Sequence, residues 1–353
     1  MLRTFFLANK ALVTPDPSGT VCMQRTFYSP ATHFEQSLDV WTPLAPQTQD
    51  MPLVVLVVGS GFLGHNAFFY RWAGLFNTLA PRAIARHGSV CVAIRHRGAA
   101  IKPPSPTMSL FALALTTILT FTVTVSFYDA GLVFLAAAFQ LLLWQKLTCG
   151  SATYEDMLAD VACALRWVHD NRQHLHCPSQ PPPTKLMFGG YSSGAHVAAS
   201  LLQRTEILEA TGLPQPSAGL CDSLIFLSGV FGTFDVLHLQ KGMLGGLMRR
   251  IGLTDAVFRW TFVSPNSKST SPLRDVARTP RLPHILIGCY SEVFGIAALE
   301  QAFGFVLCED AYAFALKQAG VPVRALKIDS NHFGLFIDPT FAKVIGDELR
   351  RHK

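Results

Sequence analysis

The stretch Gly190-Tyr191-Ser192-Ser193-Gly194 follows a short apolar run, KLMFGG, and opens a helical one, AHVAASLLQRTEIL. A serine held between small residues at a strand-to-helix corner has its oxygen lifted above the sheet on a strained backbone, as an acyl-transfer nucleophile requires. Ser192 is therefore the candidate nucleophile. The backbone N–H of Ser193, next in the chain, is placed to stabilise an oxyanion. The competing reading is a glycine-rich corner with no chemistry.

Acyl transfer needs more groups. A further oxyanion donor is expected in VVGSGFLG (57–64), a glycine-rich turn after an apolar strand, with the amides of Ser60 and Gly61 as candidates. A phosphate loop fits that turn less well, because the lysine of GxxxxGK[ST] is absent. Of the twelve histidines, His332 in KIDSNHFGLFIDP follows RALKID, on a loop after the last expected strand, where a general base would stand. The acid that orients such a histidine should follow the preceding strand, HILIGCY, and Glu292 in GCYSEVFG is the first carboxylate there. Glu309 and Asp310 come later, at an expected helix start, where capping explains them better. The chain order Ser192, Glu292, His332 is that of Ser–acid–His hydrolases. No cofactor and no metal are called for.

The elements that must position these groups alternate. LDVWTP (38–43), MPLVVLVVGSGF (51–62), SVCVAIRHRG, KLMFGGYSSG, SLIFLSG, HILIGCY and PVRALKID read as strands. Between them RWAGLFNTLAPRAIARHG (bent at Pro81), TYEDMLADVACALRWVHDN (153–171), AHVAASLLQRTEIL, CEDAYAFALKQAG and PTFAKVIGDELRRH read as helices. Several strands are continuous apolar runs, the mark of burial on both faces. The expected fold is α/β, a mostly parallel central sheet with helices on both faces.

One segment breaks the rhythm. Residues 108–128 carry no charge over about 21 residues, and LVFLAAAFQLLLWQ follows after a turn at Asp129 and Gly131. This reads as an inserted hydrophobic hairpin, 105–147, anchored in a membrane; a buried helical pair or an apolar lid is the alternative. The flanks hold Arg95, Arg97, Lys102 and Lys146 against Asp129 alone at the turn, so they are expected on the cytosolic side. The hydrolase domain is thus divided into 1–104 and 148–353, with an apolar cap over about 229–270. The N-terminal residues MLRTFFLANKALVTP read as an ordinary segment in preference to a secretory signal.

Composition agrees with membrane contact or a large buried sheet. Half of the 353 residues are hydrophobic and 15% are charged. The net charge of +6 is modest and scattered, which argues against nucleic acid and suits an anionic membrane surface. The eight cysteines form no CxxC pair; Cys91, Cys163 and Cys289 lie in apolar runs and read as buried free thiols.

With these residues in place, the chain resembles α/β-hydrolases of the esterase/lipase group, and more narrowly the isoprenylcysteine methylesterases. The resemblance rests on the order of LDVWTP, PLVVLVVGSGFLG, TYEDMLADVACALRWV, GGYSSGAHVAA, LSGVFGTFDVLHLQKG, SPL (271–273), LPHILIG and HFGLFIDP. It carries the oxyanion loop onto Gly59, Ser60 and Gly61, the nucleophile onto Ser192 and the histidine onto His332. Val58 stands where the family's histidine is common, and Ser291 stands where its aspartate is expected, with Glu292 next. The resemblance implies hydrolysis of a carboxyl methyl ester on prenylated protein C-termini, or of lipid-like esters, at an endoplasmic reticulum or Golgi membrane. A general carboxylesterase, lipase or arylformamidase-like hydrolase is the alternative, and a catalytically inactive membrane-anchored relative is another.

Overall fold

The computed structural model describes residues 21–30, 34–44, 51–62, 64–65, 78–98, 152–176, 181–232, 271–290, 305–332 and 334–352. The hydrophobic hairpin at 105–147, most of the expected cap and Glu292 lie outside the described residues.

Eight strands form one sheet: β1 (Val21–Phe27), β2 (Ser37–Pro43), β3 (Leu53–Val57), β4 (Cys91–Ile94), β5 (Leu186–Tyr191), β6 (Ser223–Leu227), β7 (His284–Cys289) and β8 (Val323–Ile328). Their spatial order is β1-β2-β4-β3-β5-β6-β7-β8. β1 pairs antiparallel with β2, and β2 antiparallel with β4; every other pair is parallel. The described helices that carry the argument are α1 (Tyr154–Asn171), α2 (Ser193–Gln203), α3 (Thr205–Ala210), α4 (Phe305–Gln318) and α5 (Pro339–Arg351). Residues 78–86 are also helical.

The apolar strand runs are explained by two cores, one on each face. Side chains alternate across a strand, so Leu53, Val55 and Val57 of β3 join one core while Val54 and Leu56 join the other. The first core packs beneath α1, α2 and α4 through residues such as Met157, Val161, Val197, Tyr312 and Leu316. The second packs against the helical residue Ile84 and against Phe341, Ile345 and Leu349 of α5. Each such side chain contributes roughly 1.5–3 kcal/mol by leaving water, which is why strands of this type carry almost no polar residues.

Local signals fix the helix ends. Thr153 caps α1: its hydroxyl accepts from the Asp156 N–H at 3.1 Å, and the Asp156 carboxylate accepts from the Thr153 N–H at 2.8 Å. Asp338 caps α5 by accepting from the Thr340 N–H at 2.8 Å, with Pro339 at the first helical position.

Four sequence expectations change. β1 was not anticipated; it is an edge strand whose side chains are mostly exposed, so it lacks an apolar signature. The expected single helix from Ala195 breaks at Arg204 into α2 and α3. Cys163 is exposed on α1, while Cys91 and Cys289 are buried; every described cysteine is free. Arg95 and Arg97, read in the sequence only as flanking charges, each have a carboxylate partner within the fold. Arg95 is 2% exposed and paired with Asp39, and Arg97 binds Asp160 at 2.8 Å. Among the described residues no helix is long and apolar enough to cross a membrane.

Candidate active site

The register brings the carboxyl ends of the central strands level: Val57 of β3 faces Gly190 of β5, Tyr191 faces Leu227 of β6, Leu227 faces Ile287 of β7, and Cys289 faces Ile328 of β8. Chain order reverses between β3 and β5. A crevice outside the carboxyl ends at such a switch point is where open α/β sheets bind ligands. Ser60, Ser192, Ser228 and His332 all leave the sheet at this end.

Ser192 sits at φ 55°, ψ −126°, between β5 and α2. A serine held there is strained by on the order of 1–3 kcal/mol. The turn is pinned on both sides: the Ser192 N–H donates to Leu227 O at 3.0 Å, and Ser192 O accepts from the Ala195 N–H at 3.1 Å. Two glycines permit the close approach. A Cβ at Gly194 would fall on the Val57 carbonyl oxygen, and one at Gly59 would lie 2.7 Å from Tyr191 O and 2.8 Å from Ser192 Cβ. The loop after β3 is thereby pressed against Ser192.

His332 Nε2 lies 3.0 Å from Ser192 Oγ, a general-base distance. The ring is 7% exposed. It stacks on Tyr191 with centroids 5.0 Å apart, and the Tyr191 hydroxyl donates to His332 O at 3.2 Å. Tyr191, the variable residue of the GxSxG motif, thus holds His332 by its ring and its carbonyl, a contact the motif alone does not disclose. Burial pushes the His332 imidazole down to about 4, so it is neutral and able to accept a proton throughout the neutral range.

A pH dependence follows. With the base neutral above about pH 4, kcat/KM for a neutral ester should stay level down to about pH 5 and fall as pH drops through about 4. An ordinary histidine would give a limb near 6.5. A stopped-flow pH profile measures this; a limb near 6.5 would refute it. Stability has the same sign. Between pH 6.5 and 4 the unfolded chain takes up a proton here that the folded chain does not, so the fold loses stability as pH falls.

The oxyanion loop differs from expectation at one residue. The Ser60 N–H, anticipated as an oxyanion donor, donates to Ser193 Oγ at 2.9 Å, and Ser60 Oγ accepts from the Gly64 N–H at 3.1 Å. One N–H has one proton, so this amide is engaged by the hydroxyl of the elbow while that contact lasts. Ser60 and Ser193 instead latch the loop to the turn. Gly61, at φ +60°, and the Ser193 amide are the other members of the expected set.

Behind the histidine, Nδ1 lies 2.9 Å from Ser228 Oγ, in the loop after β6. This residue was not singled out from the sequence, where a serine after SLIFL carries no signature. Glu309 and Asp310 do not cap a helix start. They stand inside α4, where Lys327 reaches Glu309 at 3.4 Å and Asp310 at 2.9 Å. Burial raises the Glu309 carboxyl to about 7, against the lowering effect of Lys327.

The strand order and the mostly parallel sheet covered by helices match the α/β-hydrolase fold. Solved structures share it. Esterase B from Lactobacillus rhamnosis superimposes with a TM-score of 0.59 at 13% identity, over 99% of this chain and 90% of that one. An esterase from Pyrobaculum calidifontis gives 0.54 at 13% identity, over 99% and 88%. A mutant of the esterase rPPE gives 0.53 at 16%, over 98% and 88%. The chain matches no family model and no curated protein sequence.

Proposed function

We propose that this protein is a serine hydrolase of carboxylic esters. The observation that carries the reading is the 3.0 Å contact between His332 Nε2 and Ser192 Oγ at a strained strand-to-helix turn. In this mechanism His332 removes the Ser192 proton as Oγ attacks the ester carbonyl carbon. The amides of Ser193 and Gly61 receive the oxyanion. The imidazolium returns its proton to the leaving alkoxide as the C–O bond breaks, leaving an acyl-serine. Water, deprotonated by the same histidine, then releases the carboxylate and restores Ser192. The esterase structures named above lend this reading support by fold.

The substrate we propose is the methyl ester of a prenylated C-terminal cysteine, met at the cytosolic face of an endoplasmic reticulum or Golgi membrane. The order of sequence motifs supports it, as does the uncharged run at 108–128, which suits an enzyme whose substrate partitions into a bilayer. The test compares hydrolysis of a farnesylcysteine methyl ester with that of short p-nitrophenyl esters, using membrane-bound full-length protein. A kcat/KM for the prenyl ester at least about a hundredfold higher supports the narrower reading, since burying several prenyl carbons supplies that much binding energy. Equal rates leave a general carboxylesterase. No hydrolysis of either, and no fluorophosphonate labelling, removes the hydrolase.

A further inference from the structure

The far side of the catalytic histidine is held by a hydroxyl. Ser228 Oγ lies 2.9 Å from His332 Nδ1. The residue is fixed in an uncommon conformation, φ 45°, on a short loop tied down from three directions. Its own N–H donates to Ile287 O at 2.8 Å, the Val230 N–H donates to Ser192 O at 3.4 Å, and His196 Nδ1 donates to Val230 O at 2.6 Å. The Cys289 thiol at the end of β7 lies beside Ser228; burial raises its pKa, and the Ser228 hydroxyl tends to lower it. Strain held by so many contacts, in a non-glycine residue that touches the base, marks a built position.

We propose that Ser228 is a positioning residue for the general base: its oxygen accepts from His332 Nδ1–H and so keeps the lone pair of Nε2 on Ser192. This rests on the serine-hydrolase reading. A neutral imidazole carries one N–H, and which nitrogen bears it is set by the partner of the other. Were Ser228 to donate to Nδ1, the proton would sit on Nε2 and Ser192 could not be deprotonated. A hydroxyl has one proton and two acceptor sites. With its proton directed at the Cys289 sulfur, the oxygen presents a lone pair to Nδ1–H. Cys289 is suited to accept, being a buried neutral thiol with weak acceptor character. No proton passes to Ser228 during turnover; the proton moves from Ser192 Oγ to His332 Nε2 and on to the leaving alkoxide. The contact supplies direction, separately from the counter-charge expected of Glu292.

The test uses fluorophosphonate labelling and pre-steady-state p-nitrophenol release from p-nitrophenyl butyrate, each as a function of pH. Alanine at 228 keeps the backbone strain of serine and glycine relieves it, yet both remove the hydroxyl, so a fault in folding separates from a fault in chemistry. Both variants should acylate about 10- to 100-fold more slowly with KM within about twofold. The acid limb should fall, because the imidazolium loses an acceptor that the neutral ring can forgo by changing tautomer. Ser228→Asp puts a carboxylate on Nδ1 and should raise the limb by about one pH unit or more. Unchanged acylation rates and an unmoved limb in Ser228→Ala, Ser228→Gly and Ser228→Asp would overturn the proposal while leaving the hydrolase intact. A folded wild type that no fluorophosphonate labels would instead remove the hydrolase reading on which the proposal stands.

Discussion

Ser192→Ala is expected to abolish fluorophosphonate labelling and to lower kcat/KM for any accepted ester by at least about a thousandfold. Nucleophile and base act as one unit, so loss of either removes nearly everything but binding and oxyanion stabilisation. The elbow geometry supplies an internal control. Alanine retains a Cβ and hence the strain of φ 55°, so its thermal midpoint should stay close to that of wild type. Ser192→Gly should be just as inactive but more stable by about 1 kcal/mol, because glycine occupies that region without penalty. Ser193→Ala should behave differently. It removes the hydroxyl that accepts from the Ser60 N–H but keeps its own amide, so labelling should persist at a reduced rate. If Ser192→Ala labels and Ser193→Ala does not, the nucleophile is Ser193 and the register of the turn is wrong.

Much of this architecture is legible in the sequence because it follows from two-sided burial. Strands such as Leu53–Val57 and Ser223–Leu227 are apolar on both faces and end at glycine or serine, so their position and order can be read directly. The same burial places Ser192, at the end of such a run; His332 instead follows β8, a half-exposed edge strand carrying Arg324 and Lys327, and is legible by its place after the last strand. What escaped has the opposite character. β1 exposes most of its side chains and owes its existence to pairing with β2, a long-range fact with no local pattern. The Ser228–His332 contact joins residues 104 apart in the chain, and serine is too common to mark it. Arg95 and Arg97 read in the sequence as flanking charges, yet each has a buried carboxylate partner distant in the chain. Polar pairs across a sheet depend on register, and register is what a single sequence discloses least.

The second large effect lies at that overlooked pair. Asp39→Ala should destabilise the protein by roughly 3–5 kcal/mol, the usual consequence of removing one partner of a buried ion pair. Asp39 on β2 is 1% exposed and accepts from Arg25 Nε at 2.8 Å and from Arg95 Nη1 at 3.2 Å, with Arg95 Nη2 in direct contact. Arg95 also donates to Ser37 Oγ at 2.9 Å. Both guanidinium groups lie over the Phe34 ring, at 4.9 and 5.0 Å from its centroid. Without the carboxylate, Arg95 is a buried cation that has lost the charge it pairs with there, while Arg25, about one third exposed, can turn to solvent. Arg95→Met should therefore restore part of the loss: the double variant should be more stable than the sum of the single changes predicts, by a few kcal/mol. Burial tends to raise the Asp39 carboxyl, but the hydrogen bonds and charges of Arg25 and Arg95 outweigh it and hold it below the ordinary value. Its contribution is present above the unfolded value near 3.9 and is lost as pH falls through the lower folded value. Asp39→Ala should accordingly narrow its stability gap to wild type below about pH 4. The damage should reach the site from one side. Arg95 follows β4, where Ile94 O accepts from the Val58 N–H at 3.0 Å, so loosening it disturbs the oxyanion loop before the Ser192–His332 pair. Urea melts of the two single variants and the double variant at pH 7 and pH 3 decide the matter, and additive losses would show that Asp39 and Arg95 are not coupled.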